Sequence, residues 1–124
     1  MQKIIIIFIF MCLPGFASAD QVRFTGRTTA DRTLISDTIR NVLFVGKARL
    51  NCSELGLVEA EVLPKDYVPP KGPGQEGKAP TIYERWTATF CGQKVPLLIA
   101  FWPASDGGMM FRVEYPYPKA DIVP

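Results

Sequence analysis

The sequence contains no histidine and no Cys-x-x-Cys pair. Without histidine, the chain lacks the commonest general base, the commonest metal ligand and every Ser-His or Cys-His nucleophile. A Gly-x-Ser-x-Gly elbow and an Asp-x-Asp-x-Asp-Gly calcium loop are missing as well. We therefore predict no catalytic residues, no metal site and no cofactor.

Long apolar runs are confined to the start of the chain. Ten apolar residues, 4–13, follow the positive charge of Lys3, and the small residues Ala17-Ser18-Ala19 provide a site for signal peptidase. Ten helical residues cover about 15 Å, whereas a membrane core measures about 30 Å. We predict a signal peptide over residues 1–19, cleaved after Ala19. The mature chain, residues 20–124, is then one small domain that is periplasmic or secreted, with no membrane span.

Cysteine is scarce in the predicted mature chain, where only Cys52 and Cys91 remain. In an oxidising compartment, one disulfide is the simplest arrangement. A redox pair would place its cysteines close in sequence, but these are 39 positions apart. Closing a loop of about 40 residues contributes roughly 4 kcal/mol in the chain-entropy model. We therefore predict a structural disulfide.

The predicted mature chain also has little net charge, with 13 basic residues against 12 acidic ones once Lys3 is removed. This balance provides no strong field for nucleic acid, so we predict no nucleic-acid partner. The charges are unevenly placed, because residues 21–49 have a net charge of +4. That segment is either a basic face for an anionic partner or a solvated helix with its flanks.

Hydrophobic periodicity predicts one helix and four strands. The helix spans residues 28–43, is capped by Thr29 or Asp31, and can extend inward to Gly46. The strands span residues 57–63, 82–90, 94–102 and 109–115. Short turns at 91–93 and 104–108 join the last three strands into an antiparallel meander. The predicted fold is α+β: one N-terminal helix packed on a four-stranded antiparallel sheet, in two layers with one disulfide.

Two segments are rich in proline. Residues 64–80 contain five prolines and three glycines in 17 residues, which is typical of a loop that is either functional or loose. Residues 116–124 begin with Pro116-Tyr117-Pro118. Proline has no N–H group for a strand ladder, so we predict an extended tail.

Aromatic residues are concentrated in the last 40 residues. Phe101 and Trp102 are adjacent, so their side chains must lie on opposite faces of a strand. Because one helix covers one face, a bulky aromatic residue is expected on the uncovered face, where a partner or an apolar ligand could dock. The alternative is that these residues form the core. The candidate binding residues are Tyr83, Arg85, Trp86, Phe101, Trp102, Tyr115 and Tyr117.

A short pattern in this region comprises Glu84-Arg85-Trp86, Cys91-Gly92, Phe101-Trp102-Pro103 and Gly107-Gly108. It resembles a group of short secreted proteobacterial proteins that share an ERW…CG…F…GG…F core. The resemblance covers about 30 residues and implies a bacterial periplasmic protein, but it implies no activity. A helix on an antiparallel meander is also similar to the cystatin inhibitors, whose Gln-x-Val-x-Gly hairpin is missing here.

These observations favour a periplasmic protein-interaction module without catalysis of its own. It would be an accessory subunit, an inhibitor or an immunity-type protein that binds an envelope protein. One alternative is a carrier of small apolar ligands, with a pocket between helix and sheet. Another is a small hydrolase of envelope polymers that uses a carboxylate pair, either Glu59 with Glu61 or Asp106 with Glu114.

Overall fold

The computed structural model describes residues 22–69 and 80–119. The signal peptide predicted for residues 1–19, residues 70–79 of the predicted loop and residues 120–124 of the predicted tail lie outside these ranges. The described elements, in chain order, are β1 (Arg23–Gly26), α1 (Arg32–Leu50), β2 (Leu55–Val62), β3 (Ile82–Phe90), β4 (Gln93–Pro103) and β5 (Met109–Glu114).

The sheet has five strands in the order β1-β2-β3-β4-β5. Strands β2 to β5 form the predicted antiparallel meander, but β1 pairs with β2 in parallel, with Arg23 opposite Leu57 and Gly26 opposite Ala60. Among the described residues, the α+β class, the helix, the four antiparallel strands and the disulfide are confirmed, but the predicted sheet lacked the parallel edge strand β1. Strand β1 has four residues, too few for an alternation to be recognised.

Helix α1 starts and ends later than predicted. Asp31 is the N-cap, and its side chain accepts a hydrogen bond from the backbone N–H of Leu34 at 2.9 Å. The helix continues through Gly46 to Leu50, and Asn51 closes it in the left-handed conformation. Asp31 is one of the two predicted caps and the predicted extension to Gly46 is present, but the predicted span of residues 28–43 begins and ends too early.

Gly46 lies inside α1, on the side that packs against the Phe90 ring of the sheet. A Cβ atom at this position would lie 2.4 Å from Cε1 of Phe90, on the last residue of β3. A glycine that usually marks a helix end is therefore placed here because only a hydrogen atom fits between the helix and the Phe90 ring.

Replacing Gly46 with alanine should destabilise the protein by about 1 kcal/mol. Alanine gains about 1 kcal/mol in helix propensity over glycine, but overpacking against Phe90 costs about 1–3 kcal/mol. Urea unfolding followed by tryptophan fluorescence measures the difference. Gly56→Ala is the control, because a Cβ at Gly56 meets nothing within 4 Å. An unchanged or higher midpoint for Gly46→Ala would contradict the close packing.

The main core lies between α1 and the sheet. Its centre is Trp86, which is fully buried and has the edge of Phe24 at 5.0 Å between ring centroids and the ring of Phe101 at 6.1 Å. The small residues Ala60 and Ala88 leave room for these rings on the neighbouring positions of β2 and β3. The main core is thus filled by large aromatic and aliphatic side chains.

The predicted disulfide between Cys52 and Cys91 is present. It joins the segment after α1 to the tight turn between β3 and β4, as expected. Cys91 and Gly92 both have positive φ, 47° and 82°, as a two-residue hairpin turn of this kind requires. The bridge therefore links the end of the helix to the centre of the meander.

Candidate functional site

The face of the sheet opposite α1, here called the outer face, has its own apolar cluster. The outer cluster comprises Leu63, Tyr67, Tyr83, Leu98, Ala100, Trp102 and Tyr117. Tyr83 stands opposite Ala100 in the register of β3 with β4, and the alternation of side chains along each strand directs both to this face. Tyr83, Leu98 and Ala100 are buried, and the others are half-buried around them.

The first residues of the proline-rich loop fold back over the outer face. The backbone N–H of Leu63 donates to the carbonyl of Tyr83 at 2.9 Å, and the N–H of Tyr67 donates to the carbonyl of Pro64 at 3.0 Å. The turn brings the Tyr67 ring edge-on to Tyr83, with centroids 5.4 Å apart. Leu63 and Tyr67 thereby contribute directly to the outer cluster.

The chain after β5 returns to the same cluster. Residues 117–119 form no ladder, as expected for the tail, but Tyr117 packs on the outer cluster. The guanidinium carbon of Arg85 lies 5.8 Å from the centroid of the Tyr117 ring, in a cation–π arrangement. Two segments that lack regular structure therefore meet over strands β3 and β4.

Charged pairs surround the outer cluster. Arg85 forms an ion pair with Glu61, and hydrogen bonding to that carboxylate raises the pKa of Arg85 further above its ordinary value. Beside it, Nζ of Lys94 lies 3.5 Å from a carboxylate oxygen of Glu59. Both pairs are exposed enough to contribute little to stability, so their main effect is to fix the charge pattern of this face.

Two phenols of the outer cluster, those of Tyr67 and Tyr83, have pKa values raised above the ordinary value for tyrosine. Burial raises the pKa of Tyr67, and the neighbouring Tyr117, which shares a hydrogen bond with it, raises that pKa further. Burial also raises the pKa of Tyr83, assisted by the negative charge of Glu114. These hydroxyl groups are therefore hydrogen-bonding groups at neutral pH and not nucleophiles.

The raised phenol pKa values predict loss of stability at alkaline pH. The folded state holds the Tyr67 proton more tightly than the unfolded chain does, so this contribution is complete below the unfolded pKa of about 10. It is lost as pH rises through the folded pKa. In a phenolate absorbance titration we expect two late-titrating tyrosines in the folded protein and one in Tyr67→Phe. A folded protein that titrates like the urea-denatured chain would contradict this.

Four of the seven candidate binding residues lie together on the outer face, namely Tyr83, Arg85, Trp102 and Tyr117. The prediction that Phe101 and Trp102 point to opposite faces is confirmed, because Phe101 is in the main core and Trp102 is in the outer cluster.

The other three candidates lie on the helix side of the sheet. Trp86 and Phe101 are 0% and 1% exposed, so they offer no surface to a partner. They are core residues, which was the alternative to a binding role. Tyr115 is half-buried against the main core, with the guanidinium carbon of Arg49 at 5.1 Å from its ring centroid. Strand alternation explains this placement, because each of the three residues occupies a position whose side chain points to the helix side of the sheet.

Two residues that were not candidates extend the site. Tyr67 comes from the proline-rich loop, where no periodicity indicates its position. Met110 is 47% exposed and stands opposite Trp102 in the register of β4 with β5. The alternation along β5 placed Met110 on the outer face, so its position next to Trp102 could have been anticipated.

Sequence reasoning also missed the environment of Glu84, which is fully buried on the helix side. One carboxylate oxygen accepts from Thr28 Oγ1 at 2.7 Å and from Trp86 Nε1 at 2.8 Å, and the other accepts from the backbone N–H and Oγ1 of Thr29 at 2.8 and 2.7 Å. Four donors converge on this carboxylate. We therefore interpret it as a structural group whose hydrogen bonds hold the segment before α1 against β3.

Of the two carboxylate pairs suggested by the sequence, one is bound to cations and the other is widely separated. Glu59 and Glu61 form ion pairs with Lys94 and Arg85. Asp106 precedes the first residue of β5 and Glu114 is its last residue, and the five residue steps of this strand span about 17 Å. Paired carboxylates of glycoside hydrolases lie roughly 5–9.5 Å apart, so this second pair is too widely separated.

Within residues 22–69 and 80–119, no group of three or more Cys, Asp or Glu side chains is arranged to hold a metal ion. In the same part of the chain, no helix has the length and apolar character needed to cross a membrane. No protein-family model, curated protein or solved structure matches this chain.

Proposed function

We propose that this protein is a protein-interaction module of the bacterial periplasm that binds an envelope protein through its outer cluster and has no catalysis of its own. The observation that carries the proposal is the grouping of Trp102, Tyr67, Tyr117 and Arg85 on one face of the sheet. Tryptophan, tyrosine and arginine are the residue types most enriched at the energetic centres of protein interfaces.

The outer cluster is already ordered in the isolated chain. Tyr67 is held by its edge contact with Tyr83 and its hydrogen bond with Tyr117, while Arg85 is held by Glu61 and the Tyr117 ring. Immobilising a free side chain at an interface costs about 0.5–1.5 kcal/mol, so side chains that are packed beforehand reduce the entropy lost on binding. This favours a preformed docking surface.

An exposed apolar side chain continues the outer cluster beyond Trp102. Met110, the second residue of β5, is 47% exposed and lies opposite Trp102 on the outer face. Methionine side chains are flexible and polarisable, which suits them to an adaptable contact with a protein surface. Met110 gives the proposed surface an apolar part beside the polar phenols and ion pairs.

The two alternative functions have less support. A carrier needs space between helix and sheet, but Trp86, Leu97 and Phe101 fill the described core there. A carboxylate hydrolase needs two converging acids, whereas Glu59 and Glu61 are each paired with a cation. The disulfide is compatible with an oxidising compartment, and together with the predicted signal peptide it supports the proposed location.

The proposal is tested by capturing the partner from the native envelope. The tagged mature protein is crosslinked there, and captured proteins are identified by mass spectrometry and then purified for direct binding measurements. We expect one near-stoichiometric partner, and Trp102→Ala should weaken its binding about 30-fold or more, as for a central interface residue.

The matched control is Phe44→Ala, which removes an aromatic side chain that is 68% exposed on α1, away from the outer face. This variant should bind like the wild type, and both variants should unfold cooperatively. Failure to capture any partner, or a partner bound equally well by Trp102→Ala, would overturn the proposal and redirect attention to bound small molecules.

A further inference from the structure

Strand β5 forms one edge of the sheet. It pairs with β4 on one side, and no other strand of the described residues pairs with it on the other. Edge strands offer a row of backbone N–H and C=O groups to a further strand, and proteins commonly block them with charges or prolines. The charges on β5 are Arg112 and Glu114, and their arrangement bears on what can pair there.

The register identifies the backbone groups that point away from the sheet. The two-residue turn at 91–92 makes Phe90 and Gln93 a hydrogen-bonded pair, so odd-numbered residues of β4 bond to β3 and even-numbered ones bond to β5. The hydrogen bond from the N–H of Ala104 to the carbonyl of Gly108, at 2.8 Å, fits this alternation. Phe111 and Val113, opposite odd-numbered residues of β4, therefore direct their N–H and C=O groups outward.

We propose that β5 pairs with β5 of a second copy of this chain, antiparallel about a two-fold axis at Val113. The two sheets would then form one continuous sheet of ten strands. Val113 would face Val113 of the second copy, and Phe111 would face Tyr115 of the second copy, all at hydrogen-bonding positions. On the helix side these half-buried side chains already pack against the main core, so the second copy would extend an apolar layer.

Charge complementarity selects this register. With the axis at Val113, Arg112 faces Glu114 of the second copy and Glu114 faces Arg112 of the second copy. Both are non-hydrogen-bonded pairs, in which the Cα atoms approach to about 4.5 Å and cross-strand side chains are closest. Within one chain the two side chains are already 3.8 Å apart, so the two copies would form an alternating cluster of four charges.

Neighbouring registers lack this match. An axis at Arg112 places the two Arg112 side chains opposite each other, and an axis at Glu114 does the same with two carboxylates. An axis at Phe111 places Arg112 opposite Met110 of the second copy. Charges that would block pairing with most strands therefore favour pairing with the same strand of another copy.

The test is a charge-swap cycle measured by sedimentation equilibrium on the mature protein. We expect a reversible dimer for the wild type. Arg112→Glu and Glu114→Arg should each weaken it at least tenfold, since each places like charges opposite each other twice. The double variant R112E/E114R exchanges the two positions and should restore dimerisation. Lys94→Glu, a charge reversal away from this edge, is the matched control and should dimerise like the wild type.

Amide hydrogen exchange provides an independent measurement on the unmodified protein. At concentrations where the dimer dominates, the amides of Phe111 and Val113 should be protected, and they should lose protection on dilution. The amides of Arg112 and Glu114, which bond to β4, should stay protected throughout. A wild type that is monomeric at all concentrations, or a double variant that fails to recover, would overturn the proposal without affecting the outer cluster as a docking surface.

Discussion

Replacing Glu84 with alanine is expected to lower the free energy of unfolding by about 3 kcal/mol or more. The substitution leaves the buried Trp86 Nε1–H and the donors of Thr28 and Thr29 without their acceptor. An unpaired buried donor costs about 1–3 kcal/mol, and only part of the set can regain water. Urea unfolding followed by tryptophan fluorescence measures the loss.

The isosteric variant Glu84→Gln separates hydrogen bonding from volume. Its side-chain NH2 group must face donors whichever way the amide is turned, so we expect most of the loss to persist. Glu61→Gln is the matched control, because the Glu61 carboxylate is exposed and its ion pair with Arg85 should contribute less than about 1 kcal/mol. Equal midpoints for Glu84→Gln and the wild type would show that the four hydrogen bonds do not stabilise the fold.

Removing the disulfide is expected to have an effect of similar or larger size. The double variant C52A/C91A should lose about 4 kcal/mol, because the unfolded chain regains the entropy of a loop closed across 39 positions. Chemical reduction of the wild type should produce the same shift in the urea midpoint. Ser53→Ala, beside Cys52 and exposed, is the control and should change the midpoint little. A shift below about 1 kcal/mol would contradict the structural role.

Strands β2 to β5 could be predicted because β2, β3 and β5 alternate, β4 is a continuous apolar run buried on both faces, and residues that interrupt a strand bound them. Pro64, Gly92 and Gly107 mark these boundaries, and the strand from Ile82 to Phe90 was predicted to the residue. The adjacent pair Phe101 and Trp102 correctly predicted aromatic side chains on both faces. Alternation is informative here because a half-buried sheet requires it.

The ends of the helix and the first strand could not be predicted in the same way. The sequence offered both Thr29 and Asp31 as caps; the Thr28 and Thr29 hydroxyl groups bind Glu84, so Asp31 is the cap. Gly46 is typical of a helix end, but here it permits contact with Phe90. Both deviations depend on tertiary contacts with β3, which local propensity does not include.

The candidate site could be predicted only in part for a related reason. Trp102 and Arg85 follow from strand alternation, whereas Tyr67 and Tyr117 belong to segments with no periodicity. Their positions depend on where a proline-rich chain turns back, which requires the structure. The sequence therefore indicates that the outer face is aromatic but not which loops complete it.

The position of Glu84 also has a consequence for folding kinetics. Its partners Thr29 and Thr28 lie 55 and 56 positions away in sequence, whereas the hairpins of the β3-β4-β5 meander close over turns of a few residues. Local hairpins precede contacts between distant segments in most folding routes, so we expect β1 and α1 to dock onto a meander that is already formed. Substitutions at Glu84 should then accelerate unfolding and leave the folding rate nearly unchanged.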